Sequence, residues 1–344
     1  MDELTERQKL ILALVIRYYI EYALPVGSNL LVEQFGLDIS SATVRNEMAS
    51  LAETGYLTQP HTSAGRVPTE EGYRYFVRQL MVHTDLPDQT KRMITHQFYQ
   101  ARHDVDQWMR LAASVLAHYS KAASLVTAPH PEEARLKHLE LISTREYQVL
   151  MVLVLVGGDV RQQFLALAEP LPQERLSAVA ERINSLCRGL GVADILRVEA
   201  QLAPLEKDIL RIIYAEMERS DSMLAGEIYH DGLTNVLAEP EFAESESARR
   251  AFRVLEERAL LHDLLSRTVM TTDVGGVQVL IGGDDTWDDL RECSMVLARY
   301  GSPGLATGTL GVLGPIRMAY ARSISTVRFV ADLMSNLVLG TLAE

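Results

Sequence analysis

Ser41, Thr43, Arg45 and Asn46 crowd into one short run of the chain, within SSATVRNEMASLAETGYLTQPHTSAGRVPT, Ser40 to Thr69. Their side chains suit the edges of base pairs. An Asn amide matches adenine, a guanidinium matches guanine or a phosphate, and a Thr or Ala methyl can touch a thymine methyl. Downstream, His61, Thr62 and Ser63 offer hydrogen bonds to phosphate oxygens, and Arg66 could enter a minor groove or pair with a phosphate. A loop rich in Ser, Thr and Gly is also ordinary turn chemistry. Its functional reading depends on the elements around it.

Those elements are a helix and a small hairpin. Ser40 and Ser41 supply an N-cap, because a serine oxygen can accept an otherwise unpaired amide of the first turn. Val44, Met48 and Leu51 follow at helical spacing and define a core stripe. At 100° per residue, Ala42, Asn46, Ala49, Ser50 and Glu53 fall on the far side, with Thr43 and Arg45 flanking. Gly55 can take positive φ just past the helix end. Tyr56 to Gln59 and Arg66 to Pro68 read as short extended pieces on either side of a turn-rich loop. A helix followed at once by a hairpin is the recognition helix and wing of a winged helix-turn-helix. The stripe is core; the functional claim rests on the opposite face, where small hydrogen-bonding residues replace a solvated Glu/Lys mixture.

Upstream, Thr5 to Gln8 form a capping box. Ile11, Val15, Tyr18 and Tyr22 give the first helix its stripe, which ends before Pro25. Ser28 is expected to cap a second helix carrying Leu30, Leu31 and Phe35, and Gly36 to Ile39 is a turn of helix-turn-helix length. Thr69 caps a fourth helix with Glu70 and Glu71 in its first turn, favourable for the helix dipole.

The bulk composition limits how such a surface could work. The chain has 344 residues and a net charge of −13. The first 85 residues carry seven basic and eleven acidic side chains, a local net of −4. Non-specific attraction to DNA is therefore weak, and a DNA binder of this kind must place few charges well and double them by dimerising. Cys187 and Cys293 form no metal or CxxC spacing and fit a reducing cytoplasm as buried apolar residues. The N-terminus lacks a signal-peptide apolar region, and the longest apolar run, Val149 to Val156, is far too short to span a membrane. The expectation is a soluble cytoplasmic protein.

Residues 82–92 read as a linker and about 91–125 as a helical stretch. His96 and His103, seven apart, lack a carboxylate or thiol partner for a metal. Strands are expected at about 136–142, 147–156 and 160–167, and a helix from Pro172 to about Leu190. Residues 205–220 and 239–268 read as helical, with a short strand possible in the less regular stretch between them. Strands follow at 277–281, 294–300 and 310–313, and a last helix at 323–342. The strands thus fall into two groups separated by a mostly helical block, which suggests an α+β fold whose sheet is completed across an insertion. No catalytic constellation stands out. The GTLGVLG run fits neither GxGxxG nor a P-loop, there is no GxSxG or HExxH, and Asp284-Asp285 is explained by a cap at a strand-to-helix corner. An enzyme is not expected, nor a cofactor or metal.

The blocks SSATVRNEMASLAETGYLTQPHTSAGRVPTEEGYRYFV, VQVLIGGDD and GVLGPIRMAYARSISTVRFV resemble the heat-inducible transcription repressor HrcA family, in order and nearly end to end. The resemblance implies an α+β multidomain chain: a winged helix-turn-helix at 1–85, a GAF-like α/β domain at 90–170 and 272–344, and a mostly helical dimerisation domain inserted at about 171–271. It implies a homodimer that binds an inverted-repeat operator in double-stranded DNA upstream of chaperone operons, kept active by a GroEL-type chaperonin. Ser41, Thr43, Arg45 and Asn46 would face the operator, and His61, Thr62, Ser63 and Arg66 would serve the wing. The alternatives left open are a regulator whose GAF-like domain senses a small molecule, and a winged helix used for protein contacts.

Overall fold

The computed structural model describes residues 4–61, 64–82, 84–101, 104–131, 133–156, 159–222, 227–242, 250, 253, 255, 257–268, 273–282 and 287–342. Chain contacts divide it into two compact units. One comprises 1–127, 228–299 and 309–334; the other comprises 128–227, 300–308 and 335–344.

The first unit begins with α1 (Glu6–Tyr22), α2 (Ser28–Phe35) and α3 (Ser41–Glu53). The Thr5/Gln8 capping box is formed, with the Gln8 amide donating to Thr5 Oγ1 at 3.3 Å. Ile11, Leu12, Leu14, Val15 and Ile16 are the buried residues of α1; Tyr22 is exposed and stacks on Tyr18. Val44, Met48 and Leu51 are buried, as their spacing requires. β1 (Leu57–Thr58) and β2 (Val67–Pro68) pair antiparallel. Two hydrogen bonds of 2.9 Å between Val26 and Arg66 tie the α1–α2 connection to this hairpin. Gly65 makes that approach possible, since a Cβ there would overlap the Val26 backbone. α4 (Glu70–Tyr75) is capped by Thr69 and continues through a π-helical turn, Phe76–Leu80.

α5 (Asp88–Gln100) and α6 (Val105–Ser120) follow, two helices where one interrupted stretch is expected from the sequence. α6 then packs on a five-stranded sheet ordered β7-β3-β10-β9-β8. Its strands are β3 (Ala123–Thr127), β7 (Ile228–Asp231), β8 (Val277–Ile281), β9 (Cys293–Ser302) and β10 (Ala306–Pro315). β10 is buried along its whole length, which requires cover on both faces. One face packs Leu125, Leu280, Met295, Leu297 and Leu313 against Leu261, Leu264 and Leu265.

The second unit holds β4 (Leu136–Arg145), β5 (Gln148–Leu155) and β6 (Val160–Ala166) as a separate antiparallel meander. α7 (Gln173–Cys187), α8 (Val192–Ile195) and α9 (Pro204–Ser222) accompany it. Leu139, Leu141, Met151 and Leu153 pack against Ile183 of α7 and Leu210 and Ile213 of α9. Further along the chain the described residues include α10 (Leu233–Leu237), α11 (Arg258–Thr268) and α12 (Tyr320–Leu342).

This overturns the expected grouping of strands. Residues 136–167 do not complete the sheet of the late strands. They pair with one another and bury their own apolar face under α7 and α9. The late sheet is completed instead by β3 and the four-residue β7. Periodicity identifies a strand but carries no label for its partner. By contacts, the main segment of the second unit is 128–227. No helix among the described residues is long and apolar enough to cross a membrane.

Candidate nucleic-acid interface

α3 starts at Ser41 because Ser40 caps it, accepting the Thr43 amide at 3.1 Å. The two hydroxyls, Ser40 Oγ and Thr43 Oγ1, lie 2.9 Å apart. Thr43 is thus engaged in the cap. Ala42, Arg45 and Asn46 are exposed, and Ser41 and Thr43 are half-buried. The helix ends as its sequence requires, with Gly55 at φ 86°.

The far face is narrower than a helical wheel suggests. Ser50 accepts the Gln8 side-chain amide of α1 at 3.2 Å, so it is spent on helix packing. Glu47 is likewise turned toward α1, 3.5 Å from Arg7. The exposed residues in the N-terminal half of α3 are Ala42, Arg45 and Asn46.

The wing sits beside it. Gln59 Nε2 donates to the Ala64 carbonyl at 3.0 Å, and the Ala64 amide donates to the His61 carbonyl at 2.9 Å. His61 is exposed and Arg66 half-buried. Thr62 and Ser63 lie outside the described residues, as do His103 and the Asp284-Asp285 pair.

A groove of about 440 Å³ runs between α3, the wing and the start of α2. Arg45 and Arg66 both line it, together with Gln59, Gly65 and Ser28. The two arginines come from different elements, 21 positions apart, and the Val26–Arg66 pairing brings them to one place. Ser28 is a correction to the sequence reading. It does not cap α2: the N-cap is Gly27, which makes no side-chain hydrogen bond, and Ser28 is the first helical residue. Gly27 takes the extended cap conformation one residue earlier, where the α1–α2 connection is held to Arg66.

Neither cysteine offers chemistry. Both are buried and free, and burial pushes the thiols up to about 11 at Cys187 and about 12 at Cys293. Such thiols stay protonated and unreactive at neutral pH. No cluster of three potential metal ligands occurs among the described residues.

The HrcA protein C-terminal domain model matches residues 106–324. The heat-inducible transcription repressor HrcA of Roseiflexus castenholzii (strain DSM 13941 / HLO8) is 47% identical, covering 98% of this chain and 95% of its own. That of Thermomicrobium roseum (strain ATCC 27502 / DSM 5159 / P-2) is 43% identical, covering 98% and 96%. A crystal structure described only as that of a hypothetical protein superposes with a TM-score of 0.62 at 22% identity, covering 98% of this chain and 100% of its own. That likeness concerns the fold alone.

Proposed function

This chain belongs to the HrcA family of heat-inducible transcription repressors, and from that premise we propose that it represses heat-shock genes by binding an inverted-repeat operator as a homodimer. Its role is regulatory rather than catalytic. The exposed N-terminal half of α3 carries the reading. It presents Ala42, Thr43, Arg45 and Asn46 beside a wing, on a scaffold whose opposite stripe is fully buried. Side chains this small let a helix sit close to base edges. Ser41, Thr43, Arg45 and Asn46 face the operator; His61, Thr62, Ser63 and Arg66 serve the wing.

Pairing of two chains follows from the charge count, since one winged helix with a local net of −4 holds DNA poorly. The residues between 128 and 227 act as the inserted dimerisation domain, and the five-stranded sheet with its helices as the GAF-like domain. The meander supports this assignment. Its covered face lies under α7 and α9, and on the other the register aligns Ile142, Leu150 and Phe164 across all three strands. Phe164 is 65% exposed and Val160 50%. An apolar row of that kind marks a protein contact. The dimer would set two recognition helices into successive major grooves, one helical turn or a multiple apart.

The protein is kept active by a GroEL-type chaperonin, and heat derepresses by diverting that chaperonin to unfolded clients. A gel shift against a promoter fragment carrying an inverted repeat, with and without chaperonin, tests the whole reading. Binding that requires the intact repeat is expected. Indifference to the repeat under chaperonin-replete conditions would overturn it.

A further inference from the structure

The groove between α2, α3 and the wing has a composition that base reading does not call for. Ser28 is 8% exposed. Its hydroxyl makes no hydrogen bond among the described residues and is not sealed from solvent, and Ser28 is one of the residues that line the groove. A hydroxyl with no protein partner is free to donate to a ligand in the groove that Ser28 lines. Ser28 is also the first residue of an uncapped helix. The first helical bond of α2 is donated by Leu31 to Gly27 at 3.2 Å. The amides of Ser28, Asn29 and Leu30 precede it and have no acceptor within the helix. Unused amides at a helix start, a free hydroxyl and two guanidinium groups describe an oxyanion seat.

We propose that this groove holds one phosphodiester of the operator backbone, and that Arg45 clamps that phosphate with Arg66 instead of reading a base. The proposal rests on the DNA-binding reading above and refines it. Ser28 donates its hydroxyl to one phosphate oxygen, the α2 amides and the helix dipole stabilise the charge, and the two arginines close the seat from opposite walls. Base discrimination is left to Ala42, Thr43 and Asn46. A locally acidic domain can then still gain affinity from the backbone, because its few cations and its unused amides converge on the same phosphate.

The test uses the full-length chain, a duplex carrying the inverted repeat and a scrambled duplex of equal length, with affinities measured over a range of salt. Arg45→Ala should weaken both duplexes by the same factor, about tenfold, and lower the salt slope by about one per half-site. Ser28→Ala should weaken both by about threefold to tenfold and leave the salt slope unchanged. Ethylating a single backbone phosphate per half-site should reproduce the Arg45→Ala loss and not add to it. If Arg45→Ala instead narrows the gap between operator and scrambled duplex with the salt slope intact, Arg45 reads a base and the seat is wrong, while the DNA-binding reading survives. Inorganic phosphate at matched ionic strength should compete in an Arg45-dependent way; competition that is the same in Arg45→Ala would overturn the seat. Loss of all binding by the wild-type protein would overturn both readings.

Discussion

Arg45 and Asn46 are neighbours on one exposed turn, and the proposed complex gives them different work, a phosphate for one and a base edge for the other. Asn46 is exposed, and its amide can match both polar atoms of an adenine edge. Asn46→Ala should cost about 1–3 kcal/mol of operator affinity and relax selectivity at one base pair. Competition binding against single-substitution operators would read this directly, and an unchanged preference would remove Asn46 from the reading surface. The two cysteines make the opposite point. Their thiols are raised by burial, so the folded protein should resist a thiol-specific reagent at pH 8 until denaturant is added. Rapid labelling of the native chain would contradict the burial.

Helices and hairpins in the first unit are held by contacts between residues far apart in sequence. Gly65 lies against the Val26 backbone and Gly72 against the Tyr56 carbonyl, so neither tolerates a Cβ without a shift. Gly65→Ala should push the wing off the α1–α2 connection, separate Arg66 from Arg45 and reduce DNA affinity more than thermal stability. Equal loss of both would show that the wing is part of the folding core. A second fastening joins α1 to the sheet region. Arg317 is paired with Glu239 and Glu241, the latter at 2.5 Å, and donates to the Ile20 carbonyl at 3.3 Å. Its side chain is only 11% exposed, whereas the two carboxylates are over a quarter exposed. Arg317→Ala leaves both acids partly rehydrated, so the cost should be about 1–3 kcal/mol, below that of breaking a fully buried pair. Urea unfolding would measure it. Arg74 makes a comparable contact, donating to the Ile281 carbonyl at 3.0 Å while held by Glu70.

At the level of the whole molecule, the proposed dimer depends on the open face of the meander. Phe164→Asp should shift the chain toward monomer in sedimentation and weaken operator binding far more than half-site binding. A dimer that survives this change would place the contact elsewhere. Much of the winged helix was legible before any coordinates, because caps, turn glycines and helical stripes are local signals. The Thr5 box, the Ser40 cap, positive φ at Gly55 and the buried Val44–Met48–Leu51 stripe all follow from neighbours within a few residues. Where a residue's role depended on another segment, local signals failed. Ser28 looks like a cap until the Val26–Arg66 bridge fixes Gly27 in that position. Ser50 looks outward until Gln8 claims it. The strands at 136–166 were visible, but alternation says only that one face is buried, not beneath which helices. Composition, spacing and resemblance were enough for the kind of element, the residues of α3 and the family. The partners of each strand, and the convergence of Ser28, Arg45 and Arg66 on one groove, came from the packed chain, since distance along a sequence places no bound on proximity in space.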